Sequence, residues 1–199
     1  MLKNDNFGER VVGYDAPVLN ARELRAGTGI LLALGVFAFM KAFYTQEFIF
    51  AKFFVTIFMV DFGIRLLINP KYAPSLIMGR FFVQDQAPEY VGASQKRFAW
   101  SLAFVFAITM FVLVVFLEVT ASIQIVLGAI LLTLLFCESI FSICLGCKIY
   151  PLFSKQSSYC EGGSCELKSK EPIQKISKIQ YAVAIIAILN FVFIASHYL

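Results

Sequence analysis

The chain has 199 residues, of which 59% are hydrophobic and 22 are Phe, and its mean hydropathy is +0.77. Only 15% are charged, against about a quarter in an ordinary soluble domain, so the composition excludes a conventional soluble fold and points to an integral membrane protein. The net charge of +4 is spread over segments that flank apolar runs, without an interleaved aromatic and basic patch; this argues against nucleic acid as a partner and gives the basic residues a topological role.

Residues 1–27 form a polar N-terminal segment that has no apolar core followed by a small-residue cleavage site, so no removable signal peptide is expected. The first apolar run, Thr28 to Tyr44, is just long enough to span a bilayer with Lys41 snorkelling. Thr45-Gln46-Glu47 turns the chain into a second run, Phe48 to Ile68, expected to lie antiparallel to the first. Asp61 and Arg65 in this run are spaced to share one helix face and to pair, either as a structural ion pair or as part of a site. Asn69-Pro70 ends the run.

Between 69 and 97 the chain leaves the hydrophobic pattern, broken by Pro70, Pro74 and Pro88. Leu76 to Val83 is apolar but too short to cross, which suggests an interfacial segment. A third run spans Phe98 to Val119 with Trp100 near its start, and a fourth spans Ile123 to Leu145, the two forming a second hairpin. A cysteine-containing polar loop, 152–178, precedes a fifth run within 179–199, ending near the C-terminus. The expected fold is an all-α membrane protein: a four-helix transmembrane bundle of two hairpins over 28–151, with a fifth C-terminal transmembrane helix.

Basic residues sort cleanly along this pattern. Lys3, Arg10, Arg22 and Arg25, then Lys71, Arg80, Lys96 and Arg97, then Lys148, Lys155, Lys168, Lys170, Lys175 and Lys178 all fall on one side, which places the N-terminus and these segments in the cytoplasm and the C-terminus outside. His197, the single histidine, falls on the outer side as an interfacial residue.

The chemical content concentrates near the end of the fourth run. On one continuous helix Cys137 and Cys144 would nearly superpose, with Cys147 about 60° away, making a thiol stripe beside Glu138. Cys144-Leu145-Gly146-Cys147 has the spacing of dithiol redox pairs and of soft-metal sites, and Cys160 and Cys165 flank a Gly-Gly loop on the same side. In a reducing compartment such cysteines are thiols, transient disulfides or metal ligands rather than staples. Depth along the helices further suggests that Arg65 approaches Glu138 and Cys144, where a guanidinium would favour the thiolate.

Asp61 and Arg65 followed by Asn69-Pro70-Lys71-Tyr72-Ala73-Pro74, then Pro88, Arg97-Phe98-Ala99 and the Cys144/Cys147 pair make the chain resemble a bacterial membrane family catalogued as domain of unknown function 4395, over about residues 10 to 150. The resemblance implies a small four-helix membrane protein linked to thioredoxin-like or sulfurtransferase proteins, and so to thiol or sulfur chemistry, with Cys144 and Cys147 its most specific residues.

The leading expectation is therefore an inner-membrane thiol protein that handles reducing equivalents or reactive sulfur. Cys144 and Cys147 would exchange, Cys160 and Cys165 would deliver to them, and Cys137 would be a deeper acceptor. Arg65 would stabilise an anionic sulfur species and Asp61 or Glu138 would accept a proton. The residues assign no cofactor; a soft metal ion or a quinone is compatible with chemistry of this kind. Two alternatives stand beside it: transport or delivery of copper, zinc or mercury ions through Cys144 and Cys147, and a non-catalytic scaffold in the lipid bilayer.

Overall fold

The structure is a computed structural model, and it describes residues 7–12, 17–118 and 121–144, together with Ala182, Val183, Ile185, Ile186 and Leu189. The chain divides into two units, Met1–Cys165 and Glu166–Leu199. In the second, the five described residues are helical and exposed; the rest of the expected fifth run, and the loop 152–178 with Cys160 and Cys165, lie outside the described residues, as does Cys147.

The first unit is mostly helical. Helix α1 (Ala21–Tyr44) starts where Asn20 accepts the Arg22 amide at 3.1 Å and donates to Glu23 Oε1 at 3.1 Å. This pairing satisfies an amide that the first helical turn would leave bare. Helix α2 (Ile49–Gly63) runs without interruption into a wider π-helical turn, Ile64–Ile68, closed by the Asn69 amide donating to Ile64 O at 3.0 Å. Asn69 is then extended and Pro70 opens a 3-10 turn, Pro70–Tyr72. Helix α3 (Pro74–Val83) comes next, with proline at the helix start, where no amide hydrogen is needed. Helix α4 (Ala93–Phe111) also finishes in a π-helical turn, Val112–Phe116, and α5 (Ala121–Phe141) completes the set.

Among the described residues, three helices are long and apolar enough to cross a membrane: Ala21–Tyr44, Ala93–Phe116 and Ser122–Phe141. The second run forms one continuous helix from Ile49 to Ile68, as its apolar pattern requires, but carries Lys52, Asp61 and Arg65 within it. Helical packing departs from two simple hairpins: α5 lies against α1, and α1 also contacts α2 and α3, while α4 lies against α2. The Leu76–Val83 segment is a helix laid on α1. Gly27 and Gly79 make that possible, because a Cβ on Gly79 would stand 2.6 Å from Glu23 O and 2.7 Å from the Gly27 nitrogen. Small residues of this kind let helix backbones touch where apolar burial gives little drive.

Two short strands join the all-helical pattern. β1 (Val18–Asn20) and β2 (Tyr90–Gly92) pair antiparallel, with Leu19 opposite Val91, and Glu9 bridges to the outer edge of β1. Each is three residues long, too short for an alternating pattern to register in sequence. The core lies between the helices, where Phe54, Phe58 and Phe62 succeed one another up α2 at successive turns and meet Leu31, Trp100, Met110, Leu131 and Leu135.

Candidate functional site

Asp61, Arg65 and Ser75 form a closed polar cluster in this core. Asp61 and Arg65 lie one turn apart on α2, and Arg65 Nε donates to Asp61 Oδ2 at 2.7 Å. Arg65 Nη2 donates to Ser75 Oγ at 2.6 Å, and Ser75 Oγ donates to Asp61 Oδ2 at 2.7 Å. The Ser75 amide donates to Asp61 Oδ1 at 2.9 Å. Ala73, the residue before α3, contributes no side-chain cap, so Asp61 reaches over from α2 to supply the acceptor at that helix start. All three side chains are buried, with Arg65 only 1% exposed.

Aromatic rings close over the cation. Arg65 Cζ stands 4.4 Å from the Phe62 ring centroid and 5.3 Å from that of Trp100, whose edge is met by Phe7 at 5.8 Å. A desolvated guanidinium gains from such faces. The charge pair predicted from spacing is thus present, and its fixed partners show how two charges are held in an apolar interior. Ser75 and Trp100 are additions to the site residues expected from sequence. Ser75 and Gly79 make a small-xxx-small pair behind Pro74, which signals close helix packing but not the bonds of Ser75 to Asp61 and Arg65.

Glu138 pairs elsewhere than expected. On α5 its Oε1 accepts from Lys96 Nζ of α4 at 2.8 Å, with both side chains largely buried. It also lies within electrostatic reach of Arg65. Lys96 sits one turn before Trp100, so α4 presents a cation to α5 and a ring to Arg65 on successive turns. Next to Glu138, Ser139 Oγ donates to the Arg25 carbonyl at 3.4 Å and ties the end of α5 to the start of α1.

Cys137 and Cys144 do not line up on one continuous helix. Helix α5 stops at Phe141, Ser142 takes a left-handed φ of 57°, and the Ile143 amide returns to Cys137 O at 3.0 Å. The turn breaks the 100° progression, so Cys137 remains on the helix while Cys144 lies beyond it in non-helical chain, half-buried. Among the described residues no three His, Cys, Asp or Glu side chains come together as a metal-holding group.

The starts of α1 and α4 and the ends of α2 and α5 thus gather at one end of the bundle, linked through Ser139–Arg25, Arg65–Trp100 and Lys96–Glu138. No curated protein and no solved structure matches the chain. A family model does match, over residues 19–155, which take in the ion-pair cluster, helices α1 to α5 and the Cys144/Cys147 pair: the chain belongs to the family described as Domain of unknown function (DUF4395).

Proposed function

We propose that the chain is a multi-pass protein of the bacterial inner membrane, a bundle of four spans with a fifth C-terminal span, that handles reducing equivalents or reactive sulfur at its cytoplasmic end. The helix Ile49 to Ile68 is the second span of the bundle, its buried charges paired within the helix as Asp61–Arg65 and its Lys52 paired with Glu118. Sorting of Lys and Arg to the end bearing Arg22, Arg25, Lys71 and Lys96 gives the orientation.

The observation that carries the thiol reading is the turn at Ser142. It takes Cys144 off α5 into non-helical chain at the end of the bundle, where a thiol can change partners without unwinding a membrane helix. In the proposed reaction the Cys144 thiolate attacks one sulfur of a partner's disulfide, forming a mixed disulfide and releasing the partner's other sulfur as a thiolate. The Cys147 thiolate then displaces the partner's remaining sulfur. Two electrons pass to the partner, leaving a Cys144–Cys147 disulfide, which Cys160 and Cys165 would reduce by the same exchange. A thioredoxin-like or sulfurtransferase protein is the class of partner that suits this exchange.

The test is trapping. A Cys147→Ser chain, expressed in a bacterial membrane and quenched with acid, is expected to accumulate a mixed disulfide that reductant dissolves. Adding Cys144→Ser should abolish it. Equal trapping in the double variant would reject Cys144 as the attacking thiol.

A further inference from the structure

A cavity of about 340 Å³ opens between β1, the first turn of α1, the 69–71 turn and α3, away from the cysteines. Leu24, Leu76 and Ile77 form its apolar wall, and four charged residues line it: Glu9, Glu23, Lys71 and Arg80. Its size falls within the range of ordinary small-molecule sites, about 300–1,000 Å³.

The charges are arranged unequally. Arg80 donates through Nε to Glu23 Oε2 at 3.0 Å, and its Nη2 stands 2.9 Å from the same oxygen as an ion pair. Its contact with Glu9 is longer, 3.5 Å, and the Glu9 side chain is 58% exposed. The Glu9 backbone is nevertheless fixed, exchanging two hydrogen bonds of 2.9 Å with Val18. Lys71 has no carboxylate partner among the described residues. Two cations and two carboxylates give the wall no net charge, so an ordinary anion gains no net attraction there. A ligand carrying both signs does: its anion meets Lys71 and Arg80, and its cation meets Glu9.

Apolar surface adjoins the cavity. Helix α3 has only ten residues, too few to cross a bilayer, and exposes Ile77, Met78, Phe81 and Phe82 on the side turned from α1. Such a helix lies in the interface with its apolar side chains among acyl chains.

We propose that this cavity binds a zwitterionic phosphate ester bearing a primary ammonium, as in the headgroup of phosphatidylethanolamine, with Lys71 and Arg80 on the phosphate, Glu9 on the ammonium, and acyl chains along the outer face of α3. The lipid form rests on the membrane reading above, not on the thiol chemistry. A quaternary ammonium lacks N–H donors and cannot hydrogen-bond Glu9; phosphatidylglycerol has no cation for it.

The test uses the full-length protein, purified in detergent, equilibrated with equal amounts of phosphatidylethanolamine, phosphatidylcholine and phosphatidylglycerol, and read by native mass spectrometry. Retention of phosphatidylethanolamine above the other two is expected. Lys71→Gln should weaken it about fivefold, the scale of one lysine at an anionic headgroup, and Glu9→Gln should erase its advantage over phosphatidylglycerol. Lys71 is exposed and outside the packed core, so its variant should fold. Soluble phosphoethanolamine that displaces the lipid at equal concentration would identify a free ester as the source of the same chemistry. Equal retention of the three lipids, or no effect of Lys71→Gln, would overturn the proposal. Failure of the membrane reading is separately visible as release of the protein from membranes by alkaline carbonate without detergent.

Discussion

Asp61 and Ser75 stand on opposite sides of a break containing Pro70 and Pro74 and are joined twice, backbone amide to Oδ1 at 2.9 Å and hydroxyl to Oδ2 at 2.7 Å. One carboxylate therefore neutralises Arg65, caps α3 and fixes the direction in which the chain re-enters the bundle.

Removing either charge should show this. Asp61→Ala leaves Arg65 buried without a counter-ion, and a loss of about 3–5 kcal/mol is expected, with Arg65→Ala similar. The double variant should cost less than the sum, because no unpaired charge remains. Ser75→Ala should cost about 1–3 kcal/mol by leaving acceptor and donor partly unmet. Trp100 is the only tryptophan and lies 5.3 Å from Arg65 Cζ, so its fluorescence through a thermal or denaturant transition reads the cluster directly.

The α1–α3 crossing offers a second measurement. Gly79→Ala places a methyl group against backbone atoms that cannot turn away, which should destabilise by about 1–3 kcal/mol. Gly29→Ala is the control: its Cβ would meet only Ser139 Oγ, at 3.1 Å, a side chain that can turn aside. A melting temperature for Gly79→Ala equal to that of Gly29→Ala would contradict the close crossing.

At the other end of the bundle, Glu118 pairs with Lys52. The hydrogen bond from Lys52, and then its charge, hold the Glu118 carboxyl below the usual glutamate value. The folded state thus favours the carboxylate, and the pair's contribution is present above the ordinary glutamate pKa and lost as pH falls through the lowered one. Wild type should be more stable than Glu118→Gln at neutral pH, and the difference should close in acid. Unfolding curves of the two proteins at several pH values check this; a gap that widens on acidification would contradict the pairing.

Cysteine accessibility distinguishes α5 from the non-helical chain beyond Phe141. With single-cysteine variants in sealed vesicles, a membrane-impermeant maleimide should label Cys144 in inside-out vesicles and not in right-side-out ones. Cys137, held on α5, should react more slowly than Cys144. Equal labelling of Cys144 in both orientations would refute the proposed sidedness.

Much of the helical pattern was legible because apolar runs and proline breaks are local signals. Asp61 and Arg65 were legible together for the same reason, being one turn apart. Ser75 was not, because its role depends on a chain reversal that brings α3 back to α2. Glu138 shows the same limit: depth along the helices suggested Arg65, yet α4 supplies Lys96, whose direction no periodicity specifies. The break at Ser142 was missed for another reason. Serine has no special claim to left-handed backbone, and the run remains apolar through Leu145.

The pairing of β1 with β2 also orders events during synthesis. Val18, Leu19 and Asn20 leave the ribosome early, but Gly92, Val91 and Tyr90, their partners, emerge only after two helices, a proline-rich turn and α3 have been made. β1 has no partner strand on that edge until then, while α1 and α2 are already available to pack. Closing β1 onto β2 therefore cannot precede the synthesis of α1, α2 and α3, and it joins the start of α1 to a helix start more than seventy residues downstream.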